Sequence, residues 1–302
     1  MIESFIEIGD KKQIYYRIDG NLSDPVIILL NGSIFNFKQY DYVFLKYLKT
    51  FLGSQYCYIQ YDYIGIGKSS DLVGEFDLIT IGDEHIAFMD KLDIKQAHLF
   101  GISKGSLISC IVAAKYPSRV LSIGGYGNPN LAHPSRLNTK QEFQNRVDRM
   151  KALEDIYHEE ISKDNYNRVY DIVFQPTVFR NGQKGIIDFL KNKYVKWKLK
   201  PLLLNTKIVI LKDLYQYYTR DVDNDEMERY IAAMKSIKIP ILLLHGSLDE
   251  IIDIEGCRLL SQWLSNSVFI EIPDFRHSSP ILIYSQGKTI MNHYADFLRN
   301  IH

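Results

Sequence analysis

The segment Gly101-Ile102-Ser103-Lys104-Gly105 stands where an apolar run over residues 96–100 gives way to a helical pattern over residues 104–116, stopped by Pro117. A turn that sharp, from strand straight into helix, forces the serine into strained backbone geometry. A side chain two residues to either side would collide with it. Glycines at both flanks meet that need and leave the Ser103 hydroxyl exposed at the carboxyl edge of the strand. A serine hydroxyl is a weak nucleophile at neutral pH and requires a base. Among the eight histidines, His277 follows directly on the apolar run 268–272, in Pro273-Asp274-Phe275-Arg276-His277. The base in turn requires a carboxylate to hold its tautomer. Asp249, in His245-Gly246-Ser247-Leu248-Asp249, lies just beyond the run 241–244, with Glu250 and Asp253 as rivals for the same role. The chemistry open to Ser103, Asp249 and His277 together is acyl transfer through a covalent acyl-serine.

Three residues so far apart in sequence need a scaffold that gathers them. Residues 4–8 and 13–18 alternate as a hairpin, with Gly9-Asp10 as its turn. Val26–Leu30 is a continuous aliphatic run, as a strand buried on both faces should be. A helix over 38–52, a strand over 56–61, a helix over 79–92 and strands over 96–100 and 120–125 follow. Strands alternating with helices at this spacing give an α/β fold, a mostly parallel sheet with helices on both faces. The alternation breaks after residue 127. Helical periodicity dominates over 139–161, 185–199 and 225–234, with 207–211 an ambiguous strand. The sheet pattern resumes with a strand over 241–244, a helix over 255–264, a strand over 268–272 and a closing helix over 281–298. The expected organisation is a core made of residues 1–127 and 237–302, with residues 128–236 inserted as a helical unit.

The order Ser103, Asp249, His277 and the elbow around Ser103 resemble the α/β-hydrolase superfamily, and the resemblance runs along the whole chain. Asp62-x-x-Gly65-x-Gly67-x-Ser69 is similar to that family's turn after its fourth strand, and residues 113–120 to the exit from the helix behind its nucleophile. The helical insertion resembles the family's cap. The resemblance implies an oxyanion hole of two backbone N–H groups. One is that of Lys104; the other comes from Asn31-Gly32-Ser33-Ile34, with Ser33 the donor by position and Ile34 second. Gly32 lets the backbone approach the substrate, so Gly32 and Ile34 are expected to border it. Asn31 departs from the His common in the family. The substrate class implied is an ester, thioester or lactone with an apolar acyl part. Phe174, Val178, Phe179, Trp197, Leu202, Leu203, Tyr217 and Tyr218 of the cap are candidates to line its pocket.

Residues 26–33, 78–84 and 246–250 are also similar to the hydrolase-fold synthases of rhamnolipid precursors. That similarity implies, as an alternative, transfer of a 3-hydroxyacyl group to an alcohol. A non-catalytic binding protein of the same fold is the third reading. Lys104 follows the nucleophile, and its side chain is expected either to reach solvent or to pair with a carboxylate; a charge contact with an anionic substrate is the functional rival.

The 302 residues carry 36 Lys+Arg against 36 Asp+Glu, a formal charge of zero that offers no long-range attraction to nucleic acid or an anionic membrane. Cys57, Cys110 and Cys257 each fall in an apolar run and read as buried, reduced thiols. No His, Cys, Asp or Glu set has zinc-ligand spacing, so no metal is expected, and no cofactor is implied. Gly65-Ile66-Gly67 is too short for a dinucleotide fingerprint. His245, His85 and His98 read as structural. The lysines of residues 184–200 read as a solvated helix face, with docking of an acyl carrier protein as the rival; acyl-CoA is the other carrier considered. The chain shows no leader pattern and no apolar stretch of membrane-spanning length, which reads as a cytoplasmic protein.

Overall fold

Val26–Leu30 (β3) has no polar face, and all five residues are buried near the middle of an eight-stranded sheet. The computed structural model describes all residues except 42–43, 74–76, 132–139, 175–185, 208–209, 211–212, 214–215, 218–219 and 302, and the side chains of 140–143, 146, 174 and 186–190 also lie outside it. The remaining strands are β1 Ile2–Gly9, β2 Lys12–Asp19, β4 Cys57–Tyr61, β5 Ala97–Ile102, β6 Val120–Tyr126, β7 Ile241–Gly246 and β8 Ser267–Ile272, in the order β1-β2-β4-β3-β5-β6-β7-β8. The β1–β2 hairpin and the β2–β4 pair are antiparallel, and every other pairing is parallel.

Alternation along β3 splits the core in two. Ile27 and Leu29 face one cluster with α1 (Phe44–Leu52) and the C-terminal helix; Val26, Ile28 and Leu30 face the other. The second cluster contains α2 (Leu78–Lys91) and α3 (Lys104–Lys115). Cys57, Cys110 and Cys257 are free thiols buried in it, and burial raises the pKa of all three. This is the α/β-hydrolase fold, with helices covering both faces of a mostly parallel sheet.

Between β6 and β7 the chain runs through α4 (Lys140–Met150), short turns at Lys151–Ile156 and Tyr166–Val169, α5 (Ile186–Leu203) and α6 (Asn224–Ser236). The helix expected over 139–161 stops at Met150. Beyond it, side chains compete for the backbone: Tyr157 Oη donates to Met150 O, and Asn165 Nδ2 to Glu160 O. In the ambiguous strand 207–211, Lys207 makes an isolated bridge to Glu160, and 208–209 and 211 lie outside the described residues. After β7 come α7 (Ile254–Trp263), β8, a short helix Ser279–Leu282 and α8 (Tyr284–Asn300). The single closing helix expected over 281–298 is thus two, because Ile283 is extended. The first hairpin turns at Asp10-Lys11 rather than Gly9-Asp10, with both residues in the left-handed region.

Candidate functional site

β5 passes directly into α3 at Ser103, whose φ of 52° and ψ of −116° lie outside the regions an ordinary serine occupies. The flanking glycines are a steric requirement. A Cβ on Gly101 would sit 2.1 Å from the carbonyl carbon of Gly105, and one on Gly105 would sit 2.0 Å from Leu30 O. Ser103 N–H donates to Tyr126 O at 2.8 Å, which ties the elbow to the end of β6. The next residue, Gly127, has φ +64°, and a Cβ there would lie 3.0 Å from His277 Cε1. The backbone at 126–127 therefore bridges the serine turn and the histidine ring.

His277 Nδ1 donates to Asp249 Oδ2 at 2.8 Å. Because Nδ1 faces a carboxylate, it carries the proton, and Nε2 is left as the basic nitrogen. Asp249 is buried at the end of β7. Its Oδ1 accepts from the N–H groups of Ile251 and Ile252, both at 2.9 Å. Burial alone would raise its pKa, but His277, His245 and the Ile252 amide outweigh that and hold the carboxyl below its ordinary range. The two rivals have other work. Asp253 caps α7, accepting from Glu255 N at 3.0 Å, and Glu250 Oε2 accepts from His277 N at 3.4 Å. The acid and histidine loops are stitched together by Leu248 N–H on Phe275 O and by Asp274 N–H on Ser247 Oγ. His245 is buried, with Nε2 3.2 Å from Ile252 O and 3.4 Å from Asp249 Oδ2.

The loop after β3 is fixed residue by residue. Asn31 Nδ2 donates to Tyr61 O at 2.8 Å, clamping the ends of β3 and β4, so the residue that departs from the family pattern is a scaffold amide. Gly32 N–H is spent on Gln39 Oε1 at 2.8 Å. Asn36 binds the end of α5 twice, through its N–H on Leu202 O and its Nδ2 on Pro201 O, each at 2.9 Å. Neither Gln39 nor Asn36 was marked by any motif. Their partners lie on other elements, and only the folded loop brings them together.

The chain matches the family model of the alpha/beta hydrolase fold over residues 25–153. Over essentially its whole length it superposes on MGS-M2, an alpha/beta hydrolase enzyme from a Medee basin deep-sea metagenome library (TM-score 0.73, 21% identity, 98% of this chain and 97% of that one). The chain has the α/β-hydrolase fold. It also superposes on the enol-lactonase from Burkholderia xenovorans LB400 (TM-score 0.70, 18% identity, 98% and 100% of the two chains). By sequence the chain is similar to the bifunctional esterase/perhydrolase DCH of Acinetobacter calcoaceticus, at 21% identity over 98% of this chain and 99% of that one. It is 25% identical to the mouse monoacylglycerol lipase ABHD6 over 70% of this chain, an alignment that spans only 57% of the lipase.

One of the alternatives for Lys104 and the reading of part of the cap are corrected. The Lys104 side chain does not reach solvent. It is fully buried, with Nζ 4.1 Å from the centre of the Tyr63 ring, and burial pushes its pKa down from 10.5 to about 7. Tyr63 is set there by the turn after β4. In that turn buried Asp62 accepts from Phe37 N at 2.8 Å and Lys68 N at 3.0 Å, and burial raises its own pKa to about 7. The second correction concerns the cap residues proposed to line the acyl pocket. Trp197 is exposed, Leu202 and Leu203 are packed in the core, and Tyr217 faces a separate cavity of about 490 Å³ lined by Leu78, Ile111 and Tyr230. Val178, Phe179, Tyr218 and the Phe174 side chain lie outside the described residues. His85 and His98 are buried on Tyr61 and Ser122. Among the described residues no cluster of His, Cys, Asp and Glu is arranged to hold a metal, and no helix is long and apolar enough to cross a membrane.

Proposed function

We propose that this chain is a serine hydrolase that cleaves an ester, thioester or lactone with an apolar acyl part. Ser103 Oγ attacks the carbonyl carbon while its proton passes to His277 Nε2. The resulting oxyanion is held by the backbone N–H groups of Lys104, at the start of α3, and of Ser33. Collapse of the intermediate expels the alcohol or thiol, which takes the proton from His277. Water then attacks the acyl-serine by the same route and regenerates Ser103. The observation that carries this reading is the 2.8 Å bond from His277 Nδ1 to buried Asp249, with the histidine ring against Gly127 and Gly127 next to the residue that holds the strained Ser103. The esterase, lipase and enol-lactonase among its relatives, all named for carboxylic esters, support it. Residues 128–236 act as a cap over the core formed by 1–127 and 237–302. The two bonds from Asn36 to the end of α5 support a cap seated on the loop that carries Ser33. Transfer to an alcohol draws nothing from Asn31, whose amide is spent on Tyr61.

A fluorophosphonate probe tests the reading. It should label the wild type and leave Ser103→Ala unlabelled, while turnover of a p-nitrophenyl ester series drops by roughly three or more orders of magnitude in the variant. Labelling of the variant, or unchanged turnover, would remove Ser103 from the role.

A further inference from the structure

Three stretches that contain no Asp, Glu or Arg meet on one face of the molecule: α1, residues 191–203 of α5, and residues 279–295, which take in the short helix after His277 and most of α8. They hold eight lysines, two in α1, five in 191–203 and one at 288. Lys49 pairs with Asp19 and Lys196 with Asp171. The formal charge of zero for the whole chain therefore conceals a concentrated basic surface.

The same face exposes large apolar side chains in contact with one another. Trp197 is 64% exposed, and Tyr194, Ile283 and Tyr284 are each 45% exposed. The Trp197 and Tyr194 rings are 6.3 Å apart, and Tyr194 Oη donates to Leu282 O at 2.9 Å, which joins α5 to the segment carrying Ile283 and Tyr284. The Tyr284 ring lies 4.9 Å from that of Tyr47 of α1, tilted by 59°, and α1 packs on α8. Cations stand over the rings: Lys198 Nζ 5.4 Å from Trp197, Lys46 Nζ 5.4 Å from Tyr284 and Lys288 Nζ 5.7 Å from Tyr47. Single exposed apolar residues are ordinary, but a linked set is not.

The composition selects the partner. Protein interfaces favour arginine and are depleted in lysine. The three stretches carry lysines as their only charged side chains besides histidine, interleaved with Trp and Tyr, whose half-apolar rings prefer the headgroup layer of a bilayer. Lysines near an anionic leaflet are attracted as point charges, and their aliphatic stems lie along apolar surface. We propose that this face docks the protein on an anionic lipid surface, with Trp197, Tyr194, Ile283 and Tyr284 entering the headgroup layer. The Tyr194–Leu282 contact lies five residues beyond His277 in the chain, so the docking face and the candidate base share one segment. An acyl substrate dissolved in lipid would then be met where it resides. The proposal goes beyond the hydrolase reading, and its test requires no catalysis.

The test uses the full chain with vesicles of phosphatidylcholine alone and of phosphatidylcholine doped with phosphatidylglycerol. Co-sedimentation measures the partition, and fluorescence of Trp197 in a Trp263→Phe background measures insertion. The protein should partition onto the doped vesicles with a blue shift, bind the neutral vesicles far less, and dissociate as salt is raised. Lys46→Gln and Lys288→Gln should each lower the partition roughly fivefold, and Trp197→Ala should lower it further. These are surface changes, and thermal unfolding should show the same midpoint for every variant. Equal binding to both vesicle types would overturn the proposal, as would absence of binding or a partition unmoved by the lysine changes. Salt-sensitive capture of an acidic carrier protein without vesicle binding would overturn it equally.

Discussion

His245 Nε2 lies 3.4 Å from the same Asp249 oxygen, Oδ2, that receives the bond from His277 Nδ1. The second neighbour of that nitrogen, Ile252 O at 3.2 Å, is also an acceptor, so Nε2 carries hydrogen. Burial lowers the pKa of His245, which keeps the ring neutral. His245 thus faces the Asp249 carboxylate as a neutral neighbour and leaves its bond from His277 in place. His245→Phe fills the space and removes the donor. It should cut kcat roughly tenfold or less, about the worth of one hydrogen bond, with KM little changed. A loss as large as that of Ser103→Ala would make His245 a participant rather than a support.

Asp249 and Asp253 are four residues apart and do different things. Asp249→Asn exchanges the carboxylate that fixes the His277 tautomer for an amide and should lower kcat by about four orders of magnitude. Asp253→Asn leaves a side chain that still caps α7 well and should change stability by only a few tenths of a kcal/mol. Steady-state kinetics with urea unfolding on both variants separates the roles, and a reversed pattern would move the acid to Asp253.

Gly127 offers a test that keeps the three candidate side chains Ser103, Asp249 and His277. A Cβ there would stand 3.0 Å from His277 Cε1 and 3.1 Å from Nδ1, at a φ of +64°. Gly127→Ala should therefore displace the ring by a few tenths of an ångström. The expected cost is about 1 kcal/mol in stability for the left-handed backbone and roughly tenfold to a hundredfold in kcat. A variant with reduced stability but unchanged kcat would show that the ring yields without harm.

The serine turn was legible because its demand is local: a strand, two glycines and a helix within a few residues announce the strain that Ser103 carries. The pairing of Asp249 with His277 could be expected from chain order, since each follows an apolar strand. The positions of His245 and Gly127 beside Asp249 and His277 were not legible. They arise from β7 and β6 lying side by side, which no single segment records. Trp197 was misread for a related reason: an aromatic reads alike whether it lines a pocket or faces solvent. The basic, aromatic face was hidden twice, by its assembly from three separate stretches and by acids elsewhere that bring the total charge to zero.

Lys104 yields a prediction with a definite sign. Its ammonium is buried over the Tyr63 ring, and desolvation brings its pKa from 10.5 to about 7. Below about pH 7 both folded and unfolded chains hold the proton, and the folded state carries the full cost of a buried charge. Between about 7 and 10.5 the unfolded chain binds more protons at this site than the folded one, so this group's contribution to stability rises with pH. Asp62, raised by burial to about 7 from 3.8, acts in the opposite sense at lower pH, weakening the fold as pH climbs toward 7. Comparison with Lys104→Met cancels the Asp62 contribution, since the variant retains that carboxyl, and it also preserves the backbone N–H proposed for the oxyanion. The variant should exceed the wild type in stability at about pH 6, and the difference should shrink by up to about 1.4 kcal/mol per pH unit on going from pH 7 toward 10. Urea unfolding of both proteins at about pH 6, 8 and 9.5 measures it. A difference that stays constant with pH would mean that Lys104 keeps its proton throughout, held charged by the Tyr63 ring.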